Sequence, residues 1–253
     1  MTAKEGKYIY CIIETKTRES FDAPGIGGRG DLVHVIQFND IGAVVSDSPI
    51  IDYRISRANM ICHEKAIEEV MKDSAVLPVR FGTIAENEEK VKKILEKEYD
   101  NFKNLLADFK EKKELGLKAV FSEKDIFRDI LEKHAVINKL KEEIAVLSPE
   151  KSYYQRMEIG KMVEQALEEE KNQCREDILS VLEPLSEKNK INDTYGERMI
   201  LNAAFLINNE KETEFDREVN ELADKYGDRV VFKYVGTLPP FNFVNLVIKT
   251  GEY

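Results

Sequence analysis

The sequence has no tryptophan, and only three cysteines, three histidines and seven prolines among 253 residues. Cys11, Cys62 and Cys174 are scattered, odd in number and form no Cys-x-x-Cys pair, which excludes a disulfide framework and points to a reduced, intracellular protein. His34, His63 and His134 share no metal-ligand spacing, so no metal is expected. A structural role for His63 is the simpler reading of a lone histidine beside Glu64. No Gly-x-Ser-x-Gly, Walker or His-Glu-x-x-His motif occurs, and nothing specifies a catalytic residue or a cofactor. No window approaches eighteen apolar residues, so no membrane-spanning helix is expected. The opening run MTAKEGKYIYCIIETK is too short in apolar residues, with Glu14 after them, for a signal peptide.

Positive charge is also in deficit. Lys and Arg number 38 against 48 Asp and Glu, a net charge of -10. The lysines are interleaved with glutamates and form no basic patch, which argues against nucleic acid as a partner.

What is present is a chain able to build a core. It is 42% hydrophobic and 34% charged, above the roughly 25% charge of ordinary globular proteins, which suits long solvated helices. Up to about Lys118 strands and helices mix. YIYCIIE (8–14) reads as a strand, and LVHVIQF (32–38) with GAVVSD (42–47) as a hairpin turning at Asn39-Asp40. Met60, Ile61, Ile67, Val70 and Met71 have helical spacing, and AVLPVRFGTI (75–84) returns as a strand. A further helix is expected from about Glu86 to Phe109, then a short strand in LGLKAVFS. This order gives an α+β class.

The middle is helical. Ser122 with Asp125 resembles a capping box, and Ser148-Pro149 predicts a second helix start reaching toward Pro184, so the two helices read as an αα-hairpin. From about Lys190 a second α+β unit follows: MILNAAFLIN as a strand, a helix ending at Gly227, RVVFKYV as a strand and FNFVNLVI as a last one. The expected division is 1–121, 122–188 and 189–253.

Three stretches carry candidate sites. GIGGRG (25–30) has Gly-x-Gly-x-x-Gly spacing, but a strand follows where a dinucleotide fold needs a helix, so it reads as a glycine-rich loop. Arg80 sits alone in an apolar strand. It is either an interface arginine or half of an internal salt bridge, a planar donor being suited to a carboxylate in both cases. Phe241 and Phe243 follow Pro239-Pro240 with period two, and are either core residues of the last strand or aromatic anchors for a partner.

Taken together, GKYIYCII, the glycine loop with its hairpin, HEKAIEEVMKDSAVLPVRFGTI and the C-terminal stretch ending VGTLPPFNFVNLVI resemble the gas vesicle protein F/L family. The likeness spans nearly the whole chain in order, and VLPVRFGT and LPPFNFV are its most specific parts. The middle helices match loosely. Thr237 and Phe241 stand where the family pattern commonly has Gly-Pro before the Leu-Pro-Pro run and Tyr after it, so a hydroxyl bond from position 241 is lost while apolar docking remains. The resemblance implies two ferredoxin-like α+β domains with the helical hairpin inserted between them. It implies a non-enzymatic accessory that nucleates or assists gas vesicle assembly by binding the hydrophobic shell subunit. It places the protein in the cytoplasm as a minor, vesicle-associated component. Arg80, Phe81, Phe241 and Phe243 are the partner-binding candidates. A scaffold contacting other accessory gas vesicle proteins, and a ligand-binding enzyme domain around His63, Arg80 and the glycine loop, are the competing readings; neither nucleic acid nor membrane is expected as a partner.

Overall fold

The computed structural model describes residues 4–15, 20–148 and 151–248. The protein is α+β, with two sheets, and forms two compact units: residues 1–114 with 237–253, and residues 115–236.

In the first unit, β1 (Glu5–Glu14) is central. Its run from Tyr8 to Ile13 is buried throughout, as expected of a strand covered on both faces. β2 (Ser20–Pro24), β3 (Leu32–Phe38) and β4 (Ile41–Pro49) complete one side, and β5 (Val76–Pro78) the other, in the order β2-β3-β4-β1-β5. β6 (Ile84–Ala85) also pairs with β1. β1 and β4 run antiparallel with Ile9 opposite Val45, and the register slips between Ile9 and Cys11. The β3–β4 hairpin turns at Asn39 and Asp40, where Asn39 takes φ 51°. Asparagine tolerates that left-handed conformation better than most residues.

α1 (Arg57–Met71) starts at Ser56, whose side chain accepts from the Asn59 amide, and packs on β1, β2 and β5. Its buried Ala66, Ile67 and Val70 join Tyr8, Tyr10, Ile13, Phe21 and Val33 in one core cluster. The helix expected over 86–109 is two: α2 (Glu88–Lys97) and α3 (Tyr99–Phe109), broken at Glu98, whose ψ of 11° leaves the helical range. Asn87 caps the first, with Glu88 and Glu89 in its first turn as the macrodipole favours.

β7 (Lys112–Phe121) leads into the second unit. α4 (Glu123–Lys133), α5 (Ala135–Ala145) and α6 (Tyr153–Leu182) follow, then β8 (Lys188–Ile191), β9 (Met199–Asn208), α7 (Glu212–Tyr226) and β10 (Val230–Leu238), with sheet order β10-β7-β9-β8. Leu117 and Phe121, Leu201 and Phe205, and Phe215 and Val219 build its core with residues of α4 and α6. The helical segment has three helices rather than two, because His134, at ψ 78°, breaks the first. α6 starts at Tyr153, not at Ser148, and Pro149 lies outside the described residues. At the start of α4 the Ser122 hydroxyl bonds the Asp125 carboxylate (2.7 Å) instead of a backbone amide.

A charge cluster ties this unit together. Arg229, after α7, reaches Asp129 of α4 (2.8 Å) and Glu170 of α6, and Lys133 also reaches Glu170 (2.6 Å). Burial raises the pKa of Glu170, but its bonds to Lys133 and Arg229 outweigh this and hold the carboxyl below its ordinary value.

The last expected strand, FNFVNLVI, is absent. Residues 241–243 form a turn, and Leu246 makes a single bridge to Val79. The cause lies in Pro239-Pro240. Their carbonyls accept from the amides of Phe241 (2.7 Å), Phe243 (3.1 Å) and Val244 (2.8 Å), which curls the chain before a ladder can form. The expected period-two facing of Phe241 and Phe243 is lost with the strand. AVLPVRFGTI is likewise interrupted: strand β5 ends at Pro78, Val79 makes the isolated bridge to Leu246, and the next strand, β6, begins at Ile84.

Candidate functional site: an apolar cleft beside a tyrosine–histidine cluster

Tyr8 and Tyr10 each anchor a glycine-containing turn. The Tyr8 hydroxyl accepts from the Gly82 amide (3.0 Å), and the Tyr10 hydroxyl from the Ile26 amide (2.7 Å). Gly82 has φ 82°, a conformation that disfavours any side chain. Having accepted from Gly82, the Tyr8 hydroxyl has its proton free for His63 Nδ1, 3.0 Å away. The His63 ring also bonds the Val79 backbone. Burial lowers its pKa to about 4, with the Val79 bond opposing, so the ring is neutral at pH 7. Burial also pushes both tyrosine hydroxyls well above their ordinary pKa. The imidazole stacks on Tyr10 at 5.7 Å and meets Phe81 edge-on at 5.7 Å.

Above this cluster lies a cleft of about 390 Å³. α1 contributes Met60, His63 and Glu64, and the end of β5 contributes Pro78 through Phe81. The third wall is the C-terminal turn, through Phe241, Val244 and Leu246. That turn is held by Glu114, a buried carboxylate that accepts from both the Asn242 amide (2.9 Å) and its side-chain nitrogen (2.6 Å). Phe241 is 40% exposed and stands 6.5 Å from the His63 ring.

Of the candidates named from sequence, Arg80, Phe81 and Phe241 meet in this cleft, and Phe243 does not line it. Arg80 is exposed, and among the described residues it pairs with no acid; the internal salt bridge is not formed. Its amide bonds the Leu246 carbonyl (3.4 Å) and its carbonyl accepts from the Thr83 hydroxyl (2.7 Å), so the backbone is pinned while the guanidinium faces water. Phe241 is neither a strand residue nor fully buried. Met60 and Glu64 were not singled out by sequence as site residues. Met60 belongs to the apolar helical spacing of α1 and Glu64 is next to His63, but nothing in that pattern indicates which face stays uncovered.

The glycine loop takes no part in lining the cleft. Its donors are used internally: Gly25 N–H bonds Asp31, Ile26 N–H bonds Tyr10, and Arg29 pairs with Glu5 (2.9 Å) and Asp31 (3.1 Å). Two of the loop's amides and its arginine are thus already engaged, and a phosphate would find no free arginine there. Among the described residues no group of three or more His, Cys, Asp or Glu side chains could hold a metal ion, and no helix is long and apolar enough to cross a membrane. What the cleft presents is apolar surface, one guanidinium and one carboxyl.

Comparison with known proteins gives this geometry a context. The chain is 26% identical over 242 residues to gas vesicle protein F of Dolichospermum flosaquae, covering 94% of this chain and 97% of the relative. It is 25% identical over 247 residues to gas vesicle protein F1 of Halobacterium salinarum, covering 96% and 95%. The crystal structure of gas vesicle protein GvpF from Anabaena sp. PCC7120 superposes with a TM-score of 0.79 at 25% identity, over 96% of this chain and 100% of that one. The model of the gas vesicle synthesis protein GvpL/GvpF family matches residues 6–245, and the chain belongs to that family.

Proposed function

We propose that this protein assists gas vesicle assembly without catalysis, by binding the hydrophobic shell subunit through the cleft of Arg80, Phe81 and Phe241. The observation that carries the reading is an apolar cleft with a partly exposed phenylalanine and an arginine that has no ion-pair partner among the described residues. A shell subunit that builds a gas-filled wall exposes apolar surface, and such surface aggregates in water. A protein of net charge -10 that covers it keeps the complex in solution. Arg80 supplies direction, because a guanidinium seeks a carboxylate. His63 supports binding rather than chemistry: it is buried, bonded to Tyr8 and to the Val79 backbone, and neutral at pH 7. In this reading the protein works in the cytoplasm and at the vesicle as a minor component, and needs no cofactor, nucleic acid or membrane.

We also read the second unit as ferredoxin-like, with α4–α6 as a helical insertion in its first crossover. Its β-α-β-β-α-β element order and sheet order β10-β7-β9-β8 support this. For the first unit the same description rests on the resemblance alone.

The test is co-expression with the shell subunit, followed by affinity capture and size-exclusion chromatography. A soluble stoichiometric complex supports the reading. A shell subunit that aggregates unaccompanied, while other accessory gas vesicle proteins co-purify, would replace it with a scaffold role.

A further inference from the structure

The cleft carries two charges that do not satisfy each other. Glu64 projects from α1 and Arg80 follows β5; both line the cleft, and neither has an ion-pair partner among the described residues. Two opposite charges in one small cleft that stay beyond ion-pair distance each keep unspent capacity for a ligand. The cleft they line is otherwise largely apolar, with Phe81, Phe241 and Val244 among its walls. The wall elements also carry exposed apolar side chains: Met60 and Ile61 on α1 are 40% and 38% exposed, and Val247 after the C-terminal turn is 53% exposed. Exposed apolar side chains on both the helix and the turn suit a polypeptide better than a small molecule.

We propose that the cleft is polarised, with Glu64 receiving a basic residue and Arg80 an acidic one, so that the bound segment carries an apolar side chain flanked by opposite charges and enters in one direction. The inference rests on the shell-binding reading and names the segment of the shell subunit that would fit. Charge complementarity at two separated points fixes register as well as partner, because a segment laid in backwards sets like charges against both groups.

The test uses the full chain as probe against overlapping peptides spanning the shell subunit, alongside capture of the intact subunit. The wild type is expected to select peptides with one acid and one base around an apolar centre. Glu64→Gln and Arg80→Gln should each weaken that binding about five- to tenfold, and the double reversal Glu64→Arg with Arg80→Glu should prefer peptides with the charge order inverted. Far-UV circular dichroism and unfolding midpoints of each variant establish that it is folded. Intact subunit captured equally by the wild type and both Gln variants would overturn the polarised cleft while leaving shell binding in place. No capture by the wild type would overturn both.

Discussion

The Tyr8 hydroxyl stands between His63 Nδ1 and the Gly82 amide, 3.0 Å from each, so one oxygen ties the histidine ring to the turn that carries Phe81. Tyr8→Phe removes that oxygen and leaves a buried imidazole nitrogen and an amide without their partner. The expected loss is about 1–3 kcal/mol in chemical denaturation, with shell-subunit binding weakened alongside. Stability unchanged within error would mean that another group replaces the hydroxyl.

His63 makes stability depend on acid. Its folded-state pKa of about 4 lies below the ordinary 6.5, so the unfolded chain binds the extra proton. The contribution is present above pH 6.5 and is lost as the pH falls from 6.5 toward 4. The shift corresponds to at most about 3 kcal/mol. Carboxylates titrate in the lower part of the same range, so the measurement is a difference: unfolding free energy from pH 7 to 4.5 for the wild type against His63→Leu. The variant should be less stable at pH 7 and show a shallower slope. Parallel slopes would refute the role of His63.

Arg80→Ala should leave unfolding within about 0.5 kcal/mol of the wild type, because the exposed guanidinium has no intramolecular partner among the described residues. Affinity for the shell subunit should fall. Unchanged affinity in a pull-down titration would remove Arg80 from the interface.

Glu114→Ala tests the turn. It leaves two Asn242 nitrogens without their acceptor and frees the segment that presents Phe241. A loss of about 1.5–3 kcal/mol is expected, with reduced shell binding. Phe241→Ala should reduce binding with much less effect on stability, since that ring is partly exposed. Comparing the two by calorimetry separates loss of the anchor from loss of its support.

In the second unit, Arg229→Ala removes the common partner of Asp129 and Glu170. Breaking such a partly buried cluster costs roughly 3–5 kcal/mol, and Lys133, still paired with Glu170, holds the loss toward the lower figure. Thermal unfolding should show it, with cleft binding unaffected. A loss below about 1 kcal/mol would show that Lys133 alone suffices.

Much of the fold was legible because periodicity reports burial directly. The buried run of β1, the hairpin at Asn39, the stripes of α1 and α7 and the Gly227 stop all follow from local pattern. The short strands β2 and β8 escaped notice: β8 reads KNKI, is exposed at all four positions and has no apolar alternation to detect. The C-terminal turn was misread because Phe-x-Phe is a strand pattern, while the neighbouring prolyl carbonyls that curl the chain leave no periodic trace. The cleft was half visible. Arg80 is conspicuous as a lone charge in an apolar stretch and Phe241 for its place after Pro239-Pro240, while Phe81 enters only as a partner-binding candidate with the family resemblance. Their meeting with Glu64 and the clamp from Glu114 to Asn242, 128 residues apart in sequence, depend on long-range packing that a single sequence does not encode as pattern.

The return of the chain to the first unit from residue 237 onward also sets a schedule. Two walls of the cleft come from residues 60–81 and the third from residues 241–246, with the whole second unit translated in between. Domains fold as they emerge from the ribosome, N-terminal parts first. A growing chain therefore holds an open, two-walled groove until residues 241–246 are made. A chain stopped before residue 241, however well its first sheet folds, lacks the wall that carries Phe241.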